Sequence, residues 1–194
     1  LLKAQLLEFG NKFIDAEQIY AVQLQQQPSA ERNSAWANSI IDRLLSSRSV
    51  NKANDFMKFE ALLKAYEKDD SNSPLVLTRL KNKALLYQKP HKDTLKKFAQ
   101  NQKWWVNKEE YAVLHLWMKL QVNDIKTSLA YWEQNKEKFT VSSHPLCLSV
   151  LASLALKTAA LDLNKSIEIA ELLPLLVRDQ QDLESYVLLN TEVF

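Results

Sequence analysis

Between Lys89 and Lys108 the chain interleaves Lys92, Lys96, Lys97, Lys103 and Lys108 with Phe98, Trp104 and Trp105. Ammonium groups for phosphates beside aromatic faces for bases are what single-stranded nucleic acid binding requires. The same residue types also serve a protein contact, in which a buried tryptophan anchors the partner. A third reading is packing, with the tryptophans filling a joint between helices while the lysines solvate the outer face. Trp104 and Trp105 are adjacent and cannot share one helix face, so at least one is expected to be exposed or on a turn. Lys92, Lys96, Lys97, Lys103, Trp104, Trp105 and Lys108 are therefore the candidate partner-binding residues.

Other chemistry is thinly supplied. The three histidines, His91, His115 and His144, are spread along the chain. His144-Pro145-Leu146-Cys147 puts two potential ligands close together, but a structural zinc site needs a second pair. No Ser, Cys or acidic residue sits in a motif that places a nucleophile beside its base. Gly10 is the sole glycine, so the glycine-rich loops that let a backbone approach nucleotide phosphates are missing. These observations point away from an enzyme, and they imply no metal, cofactor or small-molecule substrate.

The near-absence of glycine also argues against tight β-hairpins and strand bulges. Abundant Leu, Ala, Lys, Gln and Glu favour helix, and a hydrophobic fraction of 46% suffices for a continuous core. The net charge of +2 is no evidence for nucleic acid, but its distribution is uneven. From Arg79 to Lys108 nine Lys/Arg face a single acid, Asp93, whereas from Asp162 onward seven acids face Lys165 and Arg178. Such polarity suggests two partners or two parts of one. Cys147 is alone and can form no internal disulfide, which favours a reducing, intracellular compartment, cytoplasmic or organellar. No apolar run approaches the roughly 20 residues that span a bilayer. The apolar opening around Leu2 and Leu6 and the apolar close around Leu189 and Phe194 read as surfaces to be covered by further chain or by a partner.

The elements that would carry the lysines follow from a recurrence. A small residue is followed four positions later by a bulky one at Ala16/Tyr20, Ala53/Met57, Thr94/Phe98 and Ser128/Trp132, and more weakly at Ser166/Ala170. Residues four apart share a helix face, so each pair marks a close helix contact beside a filling side chain. The pairs recur at a helical-hairpin interval. Local signals place the helix ends: Gly10-Asn11, Pro28 with Ser29 as a cap, Ser73-Pro74, Pro90, Asn107 with Glu110, and Ser142 to Pro145. About eleven helices in antiparallel succession result.

The run Gly10-Asn11-Lys12-Phe13-Ile14-Asp15-Ala16-Glu17-Gln18-Ile19-Tyr20, closed by Pro28, resembles the turn and second helix of tetratricopeptide and pentatricopeptide repeats. Asn123 to Trp132 is similar, while the first-helix tryptophan and Leu-Gly signature of that class are absent. The resemblance implies an all-α, right-handed α-solenoid of about five antiparallel helical hairpins, which would span 1–194 as one domain. The expected units are 1–28, 29–70, 73–106, 107–141, 142–178 and the start of another at 179–194. It also implies a binding role. The expected function is a non-catalytic protein-binding scaffold, a structural subunit of a larger assembly. An RNA-binding or ribonucleoprotein-associated repeat protein using residues 79–108 is the alternative.

Overall fold

The computed structural model describes residues 2–10, 12–46, 49–88, 92–105, 107–122 and 125–178. Among them the fold is all-α, with ten helices, two short 3-10 turns and no strand. None of these helices is long and apolar enough to cross a membrane. The expected helix after residue 178 lies outside the described residues. The chain divides into two compact units, Leu1–Lys89 and Pro90–Phe194, where the sequence suggests a single repeat domain. The boundary falls inside the expected unit 73–106, so the helices on either side of Pro90 belong to different units.

The first unit holds α1 (Leu2–Phe9), α2 (Phe13–Gln26), α3 (Ala30–Leu45), α4 (Lys52–Glu67) and α5 (Pro74–Gln88). Ser29 caps α3 by accepting from the Arg32 amide at 3.3 Å, and Asn51 caps α4 by accepting from the Asn54 amide at 3.1 Å. These contacts satisfy amides that have no partner within the helix. Helix α3 is the hub, packing on α2, α4 and α5. Every residue from Ser39 to Leu45 is buried, so the helix is enclosed on all sides over two turns. That enclosure takes two charges inside. Arg43 reaches Glu17 of α2 at 2.9 Å and Asp55 of α4 at 2.8 Å, while Asp42 pairs with Lys83 of α5 at 2.6 Å.

This ionic tier corrects the expected register of α4. Ala53 and Met57 face solvent, Met57 with 66% of its surface exposed, and the buried row is Asp55, Phe59, Leu62 and Tyr66. Arg43 and the Ser49 hydroxyl, 2.7 Å from Asp55, draw the carboxylate inward. The buried face is thereby displaced two positions along the helix, about 200° around its axis. Ala16/Tyr20, Thr94/Phe98, Ser128/Trp132 and Ser166/Ala170 are buried as expected.

The second unit holds α6 (Lys92–Gln100), a 3-10 turn (Gln102–Trp104), α7 (Lys108–Gln121), α8 (Ile125–Thr140), α9 (Cys147–Ala159), α10 (Leu163–Ala170) and a second 3-10 turn (Leu173–Leu176) that contains Pro174. Asn107 caps α7 through the Glu110 amide at 2.8 Å, and Asp162 caps α10 through the Lys165 amide at 3.0 Å. Helix α9 is almost wholly apolar and packs on α7, α8 and α10. Ser166 of α10 donates to the Ala155 carbonyl of α9 at 2.8 Å, so a small buried polar residue sits at the contact of that pair. Helix α8 is broken at Asn135, whose φ of −126° and ψ of 16° leave the helical region. The Asn135 side-chain amide donates to the Tyr131 carbonyl at 2.9 Å, and its oxygen accepts from Lys138 at 2.6 Å.

Candidate interaction surface

Helix α6 carries most of the candidate lysines, and its nine residues explain how they are presented. Thr94 and Phe98 are buried one turn apart and fix the inner face. Lys92, Lys96 and Lys97 then fall on the outer arc and are exposed. Lys103, in the 3-10 turn, and Lys108, at the first position of α7, are exposed as well. All five lysines therefore reach solvent along one continuous stretch of chain, with Asp93 as the exposed acid among them.

The ridge rests on stacked rings. Phe98 lies parallel to Tyr111 of α7 with centroids 5.0 Å apart, and Trp105 tilts against Phe98 at 5.3 Å and against Tyr111 at 5.9 Å. His115, one turn beyond Tyr111, meets Tyr111 at 5.3 Å and Tyr131 of α8 at 4.5 Å. Trp105 is 1% exposed, so its ring belongs to this base and offers a partner no face. Its indole N–H, the Tyr111 hydroxyl and the His115 Nδ1 find no hydrogen-bond partner among the described residues. The backbone of Trp104 closes the 3-10 turn, and its side chain lies outside the described part. Burial, with Lys119 nearby, pushes His115 down to about 4, and burial pushes the Tyr111 hydroxyl up to about 12. Both groups are accordingly neutral at physiological pH and add no charge beneath the lysines.

The other pair singled out in the sequence, His144 and Cys147, makes backbone hydrogen bonds. The His144 Nδ1 accepts from the Leu146 amide at 3.2 Å, and the Cys147 thiol donates to the Phe139 carbonyl at 3.5 Å. The first bond serves the backbone just before α9, and the second ties the start of α9 to the last turn of α8. Burial pushes the Cys147 thiol up to about 12, which removes the thiolate that reactivity needs. His91 lies outside the described residues.

Sequence reasoning missed a polar core in the first unit. Lys83 counts among the basic residues of 79–108, yet it is fully buried, bonding Asp42 and, at 2.8 Å, Asn38. Arg79 donates to the same Asn38 oxygen at 3.2 Å. Part of the basic run is thus turned inward. Glu8 of α1 accepts from the Tyr20 hydroxyl at 3.1 Å, and burial raises its carboxyl to about 7. Glu17 goes the other way: burial alone would raise it, but Lys58 and Arg43 bond it from two sides and hold it below its ordinary value.

Compared with known proteins, the chain matches no family model, no curated protein and no solved structure.

Proposed function

We propose that this chain is a non-catalytic helical-repeat scaffold, a structural subunit that holds other proteins within a larger intracellular assembly. The packing pattern carries this reading. In the first unit α3 packs on α5, and in the second α7 packs on α9, each helix meeting the next but one. Ion pairs tie the intervening helices in the same rhythm, Glu17 to Lys58 between α2 and α4 and Lys136 to Glu168 between α8 and α10, at 2.7 and 2.6 Å. Stacked helical hairpins make contacts of this kind, and a right-handed solenoid of about five hairpins is the arrangement we infer. Solenoids work by presenting extended surfaces, and the lysine ridge of α6 and the start of α7 is the surface we assign to a partner.

The ridge suits an acidic protein surface better than unpaired bases. Five lysines supply charge for steering and register. Base stacking needs an open aromatic face, and among the described side chains of the stretch Phe98 and Trp105 are both committed to the packing below. RNA is the second reading, favoured by the exposure of all five lysines, which backbone phosphates would engage without stacking.

Cross-linking mass spectrometry on the native complex, recording protein and RNA adducts together, tests the choice. Acidic peptides joined to Lys92, Lys96, Lys97, Lys103 or Lys108 are expected, and the Lys96→Glu, Lys97→Glu double variant should lose them while keeping its helix content. Nucleotide adducts at those lysines, with a salt-dependent gel shift that the double variant flattens, would move the assignment to RNA. Adducts confined to other surfaces would remove the ridge from the proposal.

A further inference from the structure

Helix α1 meets the rest of the first unit through a narrow face. Ala4 is fully buried against Ala16 and Tyr20, Leu7 packs partly on the same cluster, and the next residue of that face is Glu8. On the opposite side Leu2, Leu6 and Phe9 form a stripe turned to solvent, Leu6 with 63% of its surface exposed. A helix of eight residues thus enters, through Ala4, Leu7 and one carboxyl group, a small cluster that Ile19, Ala35 and Trp36 also line.

That carboxyl group is poorly served for a charge. Its Oε2 accepts from the Tyr20 hydroxyl at 3.1 Å, while Oε1 is buried with no hydrogen bond among the described residues. The groups that face it are Tyr20 from α2, Ser39 and Asp42 from α3, and Lys83 from α5. Asp42 repels an ionised Glu8. Lys83 attracts it, but is already engaged by Asp42 and Asn38. A neutral carboxylic acid is tolerated in such a place far better than an anion, and an anion regains its hydration as soon as the helix leaves.

We propose that α1 is a proton-dependent latch, docked on α2 and α3 while Glu8 carries its proton and released when Glu8 ionises. Burial pushes the docked carboxyl up to about 7, while Tyr20 and Ser39 pull the other way. An undocked Glu8 keeps the ordinary 4.5. The raised group favours docking fully below the ordinary value, and this contribution is lost as pH rises through about 7. Linkage makes the docking constant about tenfold smaller at pH 8 than at pH 6. Release uncovers Ala16 and Tyr20 and extends the apolar surface that Leu2, Leu6 and Phe9 already show.

The test pairs two measurements on the full chain. Carbon-13 NMR follows the Glu8 carboxyl through its titration, and amide hydrogen exchange, corrected for its intrinsic pH dependence, follows Leu6 to Gly10 against the amides of α3. A Glu8 midpoint near 7 is expected, with protection of α1 falling about tenfold from pH 6 to pH 8. The Glu8→Gln variant, permanently neutral, should keep α1 protected at both values. A midpoint near 4.5, equal protection at pH 6 and pH 8, or a pH dependence that survives in Glu8→Gln would each overturn the latch. Should the variant fail to fold by circular dichroism, the wild-type midpoint and exchange still decide.

Discussion

The two units enclose their central helices by opposite means. In the first, α3 is surrounded with Arg43 and Asp42 inside, each answered by a charge on a neighbouring helix. In the second, α7 is held by rings, Phe98, Trp105, His115 and Tyr131 gathering around Tyr111 and one another, and α9 by leucine, valine and alanine. An ionic interior specifies its partners one atom at a time and tolerates removal of either member badly. An aromatic interior depends on shape and area, so its loss is graded with volume. The difference suits the surfaces above them. The α6 lysines stand on rings and face outward, whereas the first unit turns Lys83 inward onto Asp42 and directs Arg79 to the Asn38 amide.

The largest effect should come from Arg43→Met, which strands the Asp55 carboxylate inside the first unit. A loss of about 3–5 kcal/mol is expected, read from amide exchange in α3 and α4 under mild urea. Adding Asp55→Leu should recover most of it. If the single and double variants are equally damaged, the ionic tier is not what organises α3. Phe98→Ala should cost the second unit about 3–4 kcal/mol by denaturation followed through tryptophan fluorescence. A loss below about 1 kcal/mol would show that the ring stack is ornamental.

Acid should then separate the units by sign. His115 is depressed to about 4 by burial, so its contribution is complete above its ordinary 6.5 and disappears as pH falls through 4. Glu8 is raised to about 7, so its contribution is complete below 4.5 and disappears as pH rises through 7. Between pH 5 and pH 7 exchange protection in α7 should rise with pH while that of α1 falls. Each effect is bounded by about 3 kcal/mol. His115→Phe and Glu8→Gln should flatten their own slope and leave the other untouched; parallel slopes would erase the contrast. The smallest effect belongs to Lys58→Ala, which opens a half-exposed pair to Glu17 and should cost less than about 1 kcal/mol in thermal denaturation.

What could be read from the chain followed the range of each signal. Caps at Ser29 and Asn107 were legible because donor and acceptor are three residues apart. Thr94/Phe98 and Ser128/Trp132 were legible because both members lie on one helix. Ala53/Met57 misled because the residue that turns α4 is Arg43, on a different helix, and hydropathy alone assigns Asp55 to solvent. Lys83 read as surface for the same reason, its partner Asp42 being 41 residues away. Of the candidate site, the exposure of the five lysines follows from their charge. Adjacency said that Trp104 and Trp105 cannot share one helix face, but that Trp105 turns inward is decided by Phe98 and Tyr111. The ring cluster itself joins three helices and a turn, and no local spacing announces it.

The break in α8 bears on how the molecule ages. Asn135 holds the bend with both ends of its amide, the nitrogen on the Tyr131 carbonyl and the oxygen under Lys138. Spontaneous hydrolysis of that amide to a carboxylate would exchange a donor for an acceptor opposite a carbonyl, while tightening the bond to Lys138. The segment from Lys136 to Thr140, which carries the link to Glu168 of α10, would be re-aimed by a change of one mass unit. Protein that had undergone this change would differ from fresh protein at a joint between helices.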